Sequence, residues 1–256
     1  MNKKRTGRIL LAAGMMLLFS CNKEQIRKYL PKEDHSKYNT FYGPQVQMGA
    51  GHARSWISTN HHGVPTEIGA EMTRSTLTGL PEVFTPFVLP LHQKALDKTA
   101  FEHLVIDWNP HGHPPGGVFT VPHFDFHFYT ITNAARLAIP PYPLAMAAFD
   151  NLPPAGYIPA GYNADPGGVP QMGKHWGDGN VAPGTFSKTM VYGSYNGKVI
   201  FVEPMITLDV FQNAVPFSLA YAQPALFHEH TYYPTKYNFY VKDGKYYVTL
   251  SDFVLR

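Results

Sequence analysis

The segment "VPHFDFHFYTI" (residues 121–131) constrains the fold more than any other stretch of this chain. In it, three phenylalanines alternate with three polar residues, His123, Asp125 and His127. Successive side chains of a β-strand point to opposite faces, so the alternation predicts a strand with a phenylalanine face in the core. The opposite face cannot enter a dry core unless its polar groups have partners. The segment therefore predicts both a β architecture and a site that satisfies two imidazoles and a carboxylate.

Turn signals elsewhere extend the β prediction to the whole chain. Asn196-Gly197 and Asp243-Gly244 each separate two runs rich in β-branched and aromatic residues. Both dipeptides tolerate the positive φ angles of a tight hairpin turn. Helical signals are limited to short pieces near "LPLHQKALDKTAFEH" and "PLAMAAFDN". We expect a mainly β fold, either an antiparallel barrel or an antiparallel sandwich.

A long segment rich in proline and glycine interrupts this pattern. Between Ile139 and Gly184 there are nine prolines and eight glycines, and no period is evident. An irregular segment of this length in a compact domain is usually functional or disordered. We expect one β-rich domain over residues 42–256, with this segment as an irregular excursion.

The N-terminus has the pattern of an export signal. Four basic residues precede the short apolar run Ile9–Phe19, which is typical of a secretory signal peptide over residues 1–20. The only cysteine, Cys21, follows directly in "LLFSC", a stretch that resembles the lipobox of bacterial lipoproteins. We expect Cys21 to be lipidated, residues 21–41 to form a polar tether, and the protein to be anchored to a bacterial membrane in the cell envelope. The alternative is plain secretion with cleavage nearby.

Charge and cysteine content argue against nucleic-acid binding and against internal disulfides. Removing the four basic residues of the signal takes the formal net charge from +3 to −1. No basic stripe and no nucleic-acid-binding motif is left, so a nucleic-acid partner is not expected. A single cysteine permits no internal disulfide, so packing or a bound ion must stabilise the domain.

The polar face of the first segment favours a metal site. Neutral imidazole and carboxylate are good ligands for zinc and related divalent ions. Neighbours on one strand face lie about 6.6 Å apart, which suits two ligands of one ion, whereas His123 and His127 lie about 13 Å apart. These two can share an ion only if the strand bulges or twists strongly. The alternatives are a general acid–base site and a solvent-facing strand.

Further ligands must come from distant segments. His175 lies within the irregular excursion, and Glu203 lies within the apolar run "VIFVEPMITLDVF". A glutamate in such a run is costly unless it is paired or bound to a cation. The alternative for His175 is a loop histidine stacked on Trp176, and for Glu203 a strand end before Pro204. His113, in the Gly/Pro loop "NPHGHPPGG", is a further candidate.

Several stretches together resemble one family of secreted bacterial proteins, most of them uncharacterised and some labelled hydrolases. The stretches are "MGAGHARSW", "GVPTEIGAEMT", "DWNPHGHPPGGVFTVPHFDFHFY", "PQMGKHW" and "YGSYNGKVIFVEPMIT". The resemblance covers about Gly49 to Thr207 and centres on Pro-His-Phe-Asp-Phe-His-Phe-Tyr. It implies that the candidate residues are important. These are His113, His123, Asp125, His127, His175 and Glu203.

The sequence thus predicts an exported lipoprotein with a divalent-metal site, acting as a hydrolase or a related metal-dependent enzyme. The metal ligands would be His123, Asp125, His127, His175 and Glu203, and zinc is the first choice of ion. Asp125 or Glu203 would be the catalytic base or an additional ligand. One alternative is an envelope protein that binds a metal or a small molecule without turnover. The other is a structural envelope-stress protein whose histidines only satisfy buried hydrogen bonds.

Overall fold

A computed structural model describes residues 38–256 as a mainly β fold with 43% strand and 11% helix. The predicted signal peptide, Cys21 and most of the predicted tether lie outside the described residues. The first strand begins at Asn39, three residues before the expected domain start at position 42. Within the described part, no helix is long and apolar enough to span a membrane.

Seven strands form the first antiparallel sheet, sheet A. They are β1 (Asn39–Tyr42), β2 (Val46–Met48), β3 (Gly51–Thr59), β4 (Pro65–Thr73), β12 (Phe217–Ala220), β14 (Lys236–Lys242) and β15 (Lys245–Ser251). Their spatial order is β1-β3-β4-β15-β14-β12, and β2 also pairs with β3. The predicted Asp243-Gly244 turn is confirmed, because it joins β14 to β15 with positive φ at both residues.

Seven further strands form sheet B, which carries the site. They are β5 (Thr85–Pro90), β6 (His103–Asn109), β7 (His123–Tyr129), β8 (Asn163–Ala164), β9 (Lys174–Gly177), β10 (Lys188–Tyr195) and β11 (Lys198–Thr207). Their spatial order is β5-β6-β7-β11-β10-β9-β8. The predicted Asn196-Gly197 turn is also confirmed, between β10 and β11.

The remaining elements are short. Strands β13 (Tyr232–Tyr233) and β16 (Val254–Leu255) form a separate ribbon. The α-helices are α1 (Gln93–Leu96), α2 (Asn133–Leu137), α3 (Met146–Phe149) and α4 (Leu208–Gln212), and 3₁₀ turns occupy Arg74–Leu77 and Tyr142–Leu144. Helices α1 and α3 lie in the two stretches where the sequence predicts helical pieces.

The main core lies between the two sheets. Phe124, Phe126 and Phe128 are fully buried in it, and they pack with residues of sheet A such as Ile68 and Phe239. The predicted phenylalanine face of β7 is therefore a core layer. Of the two expected architectures, the sandwich fits this arrangement of sheets.

The proline- and glycine-rich excursion covers the other face of sheet B. It contains α3, β8 and β9, and β9 adds to the sheet beside β10. A second small core forms beneath it, where Ile139 and Phe149 of the excursion pack with Tyr129 and Phe201 of the sheet. The polar face of β7 is thus enclosed by the chain itself and removed from bulk water.

Candidate metal centre

Three neighbouring strands direct polar residues to the covered face of sheet B. The antiparallel register places Asp107 of β6 opposite Asp125 of β7, and Asn109 opposite His123. On the other side of β7, the pairs Val202–Phe128 and Met205–Asp125 place Glu203 beside His127. These polar side chains are all buried. A buried polar face of this size requires internal partners or a bound cation.

His127, His175 and Glu203 form one cluster, called the Glu203 group below. Nε2 of His127 lies 3.4 Å from Oε2 of Glu203, and Nε2 of His175 lies 3.6 Å from the same oxygen. These three ligand-type atoms lie within 4.8 Å of one another, so the group could hold a metal ion. The 2-His-1-carboxylate set occurs in catalytic zinc sites and in non-haem iron sites.

Asp107 supports the Glu203 group from behind. Its Oδ2 lies 3.0 Å from Nδ1 of His127, while Nε2 of the same ring faces Glu203. A carboxylate on the far nitrogen of a metal-binding histidine fixes the tautomer and raises the basicity of the ligand. Asp107 therefore lies within reach of the far nitrogen of His127, although the two atoms are not aligned as a hydrogen bond in this structure.

His113, His123 and Asp125 form a second cluster, called the Asp125 group below. Nε2 of His123 lies 3.2 Å from Oδ1 of Asp125, and Nε2 of His113 lies 3.4 Å from Oδ2. Asn109 donates a hydrogen bond of 2.7 Å from Nδ2 to Oδ2 of Asp125. This group also meets the distance condition for holding an ion.

Several buried polar atoms of the two groups and of Asp107 lack a hydrogen-bond partner among residues 38–256. They are Nε2 of His123, Oδ1 of Asp125, both ring nitrogens of His127, both carboxylate oxygens of Asp107, and Oε2 of Glu203. Short distances join some of these atoms, but the directions are not those of hydrogen bonds. Buried polar atoms without partners are rare and costly in proteins. A cation at the centre of each group would satisfy several of them at once.

Burial and neighbouring charges shift the pKa values of all three residues of the Glu203 group. Burial raises the pKa of Glu203 to about 8, although His127 lies beside it. Burial would lower the pKa of His127, but the carboxylates of Glu203 and Asp107 raise it to about 9. Burial lowers the pKa of His175 to about 3, and the charge of His127 adds to this effect. His175 is therefore a neutral imidazole, which is the form that binds a metal.

The ring of Phe201 packs against both histidines of the Glu203 group, and Gly193 leaves room for that ring. The Phe201 ring centroid lies 4.7 Å from that of His127 and 5.3 Å from that of His175. The same ring lies over Gly193, where an added Cβ would come within 2.0 Å of ring carbons. Gly193 is also the register partner of His175 on β9. Position 193 must therefore be a glycine if Phe201 is to keep this place.

The structure brings the expected segments together but divides their residues differently. His175, Glu203 and His127 meet, as expected from three distant segments, whereas His123 and Asp125 join His113 instead. The expectation of one constellation is corrected to two groups, because a regular strand keeps His123 and His127 too far apart for one ion.

Both alternatives for the distant candidates are wrong. Strand β11 continues through Pro204, and Glu203 is a mid-strand residue with 1% of its surface exposed. His175 is part of β9 and contacts His127 and Phe201, while the Trp176 indole donates its hydrogen bond to Ser194.

Two residues of the site, Asp107 and Asn109, were not predicted from the sequence. Both lie in "HLVIDWN", a stretch that looks like a plain apolar strand. The missed signal is its alternation, since His103, Asp107 and Asn109 all occupy odd-numbered positions, as the polar residues of β7 do.

The fold and site thus define a mainly β protein with two adjacent 2-His-1-carboxylate groups on one covered sheet face. The chain matches no protein-family model, and no curated protein or solved structure is significantly similar to it.

Proposed function

We propose that this protein is a divalent-metal-dependent hydrolase of the bacterial cell envelope, with its ion at the Glu203 group. The observation that carries the proposal is the convergence of Nε2 of His127, Nε2 of His175 and Oε2 of Glu203 in a buried site. Three protein ligands leave at least one coordination position for water or substrate, as in catalytic zinc sites. Zinc is the proposed ion.

The unpaired atoms favour a metal over a purely structural role. If the histidines only satisfied buried hydrogen bonds, their nitrogens and the carboxylates would be aligned as donors and acceptors. Within the described residues, both nitrogens of His127 and Oε2 of Glu203 have no such partner. The structural alternative therefore leaves buried polar atoms unexplained, whereas a metal uses them as ligands and as supports of ligands.

The residues around the ion have separate tasks in this proposal. A bound zinc would supply Lewis acidity, which polarises a carbonyl or phosphoryl oxygen and acidifies a bound water. Asp107 orients His127 through Nδ1, and Phe201 fixes the rings of His127 and His175. Of the two carboxylates predicted to be catalytic, Glu203 is a ligand. Asp125 acts on His127 and Glu203 only through its charge.

The proposed location rests on the N-terminal sequence. The basic and apolar pattern before Cys21 supports export, and the lipobox-like "LLFSC" supports a lipid anchor. The resemblance to secreted proteins labelled hydrolases supports the same assignment. The substrate is then a small molecule that reaches the envelope.

The test begins with the full chain, purified without a metal-affinity tag. Elemental analysis should find zinc, and hydrolysis of chromogenic ester and phosphoester substrates should stop with a chelator and return with zinc. His175→Ala and Glu203→Gln should lose both the metal and the activity, and the exposed His230→Ala should keep both. A protein that never holds a divalent ion at these residues would overturn the proposal.

The burial of the ligands supports one alternative, a binding protein that holds the ion without turnover. His127 and Glu203 are almost fully enclosed, and only His175, with 18% of its side chain exposed, offers an approach. Under this alternative the protein would bind the ion and would need His175 and Glu203 to do so. It would hydrolyse none of the ester and phosphoester substrates.

A further inference from the structure

The Asp125 group differs from the Glu203 group in its access to solvent. His113 is 34% exposed at its side chain, while Asp125 and His123 are almost fully buried. His113 lies on the loop that joins β6 to β7, so this ligand can move away without disturbing either strand. In the Asp125 group, two candidate ligands, His123 and Asp125, are therefore buried, and the third, His113, faces solvent.

Hydrogen bonds to carbonyl oxygens fix the tautomers of both histidines in this group. Nδ1 of His123 lies 2.7 Å from the carbonyl oxygen of Val121, and Nδ1 of His113 lies 2.6 Å from that of Pro114. A carbonyl oxygen only accepts, so each Nδ1 carries a hydrogen. In the neutral rings, each Nε2 then has a lone pair directed towards Asp125.

When both rings are neutral, three sets of lone pairs meet at one place. Two Nε2 atoms face the oxygens of a carboxylate at 3.2 and 3.4 Å. Only a proton or a cation between them removes the repulsion. A proton would produce an aligned hydrogen bond, but Nε2 of His123 and Oδ1 of Asp125 have no hydrogen-bond partner within residues 38–256. A central cation could be bound by both atoms without that alignment.

The carboxylate itself is held in position for an ion. Asn109 donates to Oδ2 of Asp125, and it lies directly opposite His123 in the β6–β7 register. Ligating carboxylates are commonly held by such hydrogen bonds. Asn109 is therefore a positioning residue for this group.

We propose that the Asp125 group is a second divalent-metal site, which exchanges its ion faster than the Glu203 group does. Two imidazole nitrogens and a carboxylate suit Zn²⁺, Co²⁺ or Ni²⁺, and they do not suit Ca²⁺ or Mg²⁺, which prefer oxygen ligands. The ion enters and leaves when the loop withdraws His113. This inference does not require the Glu203 group to be catalytic.

The experiment counts ions in the metal-stripped full chain after equilibrium dialysis against Zn²⁺. Wild-type protein should bind two ions, and transfer of zinc to a chromophoric chelator should show a fast and a slow phase. His113→Ala should bind one ion and lose the fast phase. His111→Ala is the matched control, because His111 is exposed on the same loop and belongs to neither group, and it should keep both ions.

Two further variants keep the inference independent of the proposed function. His175→Ala should also bind one ion, but it should lose the slow phase instead. Asn109→Ala should weaken only the fast-exchanging ion, by about 10–100-fold, without removing a ligand. Circular dichroism verifies that each variant is folded.

The inference is overturned if His113→Ala still binds as many ions as wild type, or if its fast phase persists. Failure of the proposed function has a different signature. In that case His175→Ala would not change the ion count, or no substrate would be hydrolysed, while the ion lost in His113→Ala would remain measurable.

Discussion

Nδ1 of His127 lies 3.0 Å from Oδ2 of Asp107, across the β6–β7 pair, while Nε2 of the same ring faces Glu203. One imidazole thus joins two buried carboxylates. In a metal site, the first carboxylate orients the ring and the second shares the ion with it.

Asp107→Asn should weaken zinc binding at the Glu203 group by about 10–100-fold, because the amide no longer enhances the basicity of His127. The affinity is measured by competition with a chromophoric chelator. The exposed Asp97→Asn is the control and should bind as wild type does. Equal affinities for Asp107→Asn and wild type would contradict the role assigned to Asp107.

Gly193→Ala should impair the Glu203 group and spare the Asp125 group. The new Cβ would come within 2.0 Å of the Phe201 ring, which must then shift against His127 and His175. Overpacking of this kind costs about 1–3 kcal/mol of stability. Zinc counting should show that one ion is lost or weakened.

Gly177→Ala is the matched control for this variant. Gly177 lies at the end of β9, and a Cβ there meets no atom within 4 Å. If both alanine variants bind zinc equally well, Phe201 does not control the positions of the histidines.

Phe126→Ala should lower the free energy of unfolding by about 3–5 kcal/mol, since it empties a fully buried core position. Phe126 packs against Phe124 and stacks with Phe211, whose ring centroid is 6.2 Å away. Chemical denaturation measures the change. The control is Phe84→Ala, because Phe84 is 51% exposed. A loss no larger than that of the control would mean that the phenylalanine face is not a core layer.

Glu67→Gln should stabilise the protein at neutral and alkaline pH. Burial raises the pKa of Glu67 from 4.5 to about 7, although Thr249 and Tyr240 donate hydrogen bonds to Oε1. The folded protein therefore binds this proton more tightly than the unfolded chain does. The resulting stability is fully present below pH 4.5 and is lost as the pH rises to about 7. The stability of the variant relative to wild type should be greater above pH 7 than at pH 4, by on the order of 3 kcal/mol.

Glu71→Gln provides the opposite control on the same strand. Burial raises the pKa of Glu71, but its contacts with Lys245, Tyr247 and Arg54 more than offset this and lower the pKa overall. Removing this charge should destabilise the protein above pH 4.5 and have less effect below it. Unfolding curves from pH 4 to 8 measure both variants. A stability difference between Glu67→Gln and wild type that does not change with pH would refute the assignment.

Cys21→Ser should move the protein from the membrane fraction to the soluble exported fraction of a bacterial cell, because the lipid anchor would be missing. Fractionation followed by immunoblotting measures this. Unchanged membrane association would contradict lipidation at Cys21. Wild-type protein in the cytoplasm would contradict export itself.

Local physics determined much of the fold. The two-residue period of His123–Tyr129 places phenylalanines on one face and polar residues on the other in any β structure. Asn196-Gly197 and Asp243-Gly244 adopt the positive φ angles that tight hairpins require. These features depend only on neighbours in the chain, so the sequence alone could predict them.

The cost of burying charge also identified distant members of the site. Glu203 stands out because an apolar strand has no reason to carry a carboxylate, and it does belong to a polar cluster. The sequence could not show that Glu203 lies in mid-strand and that β11 continues through Pro204. Pairing with β7 and β10 decides where that strand ends.

Only the tertiary structure decided how the candidate residues are divided. His127 joins His175 and Glu203, whereas Asp125 joins His113, because the registers of β6, β7 and β11 set which side chains are opposite one another. The pattern of one strand fixes which face each side chain takes, but the pairing partner of each residue in a distant strand depends on how both strands pack in the core. For the same reason the sequence could not assign Asp107 to the site, because only the pairing of β6 with β7 brings it beside His127.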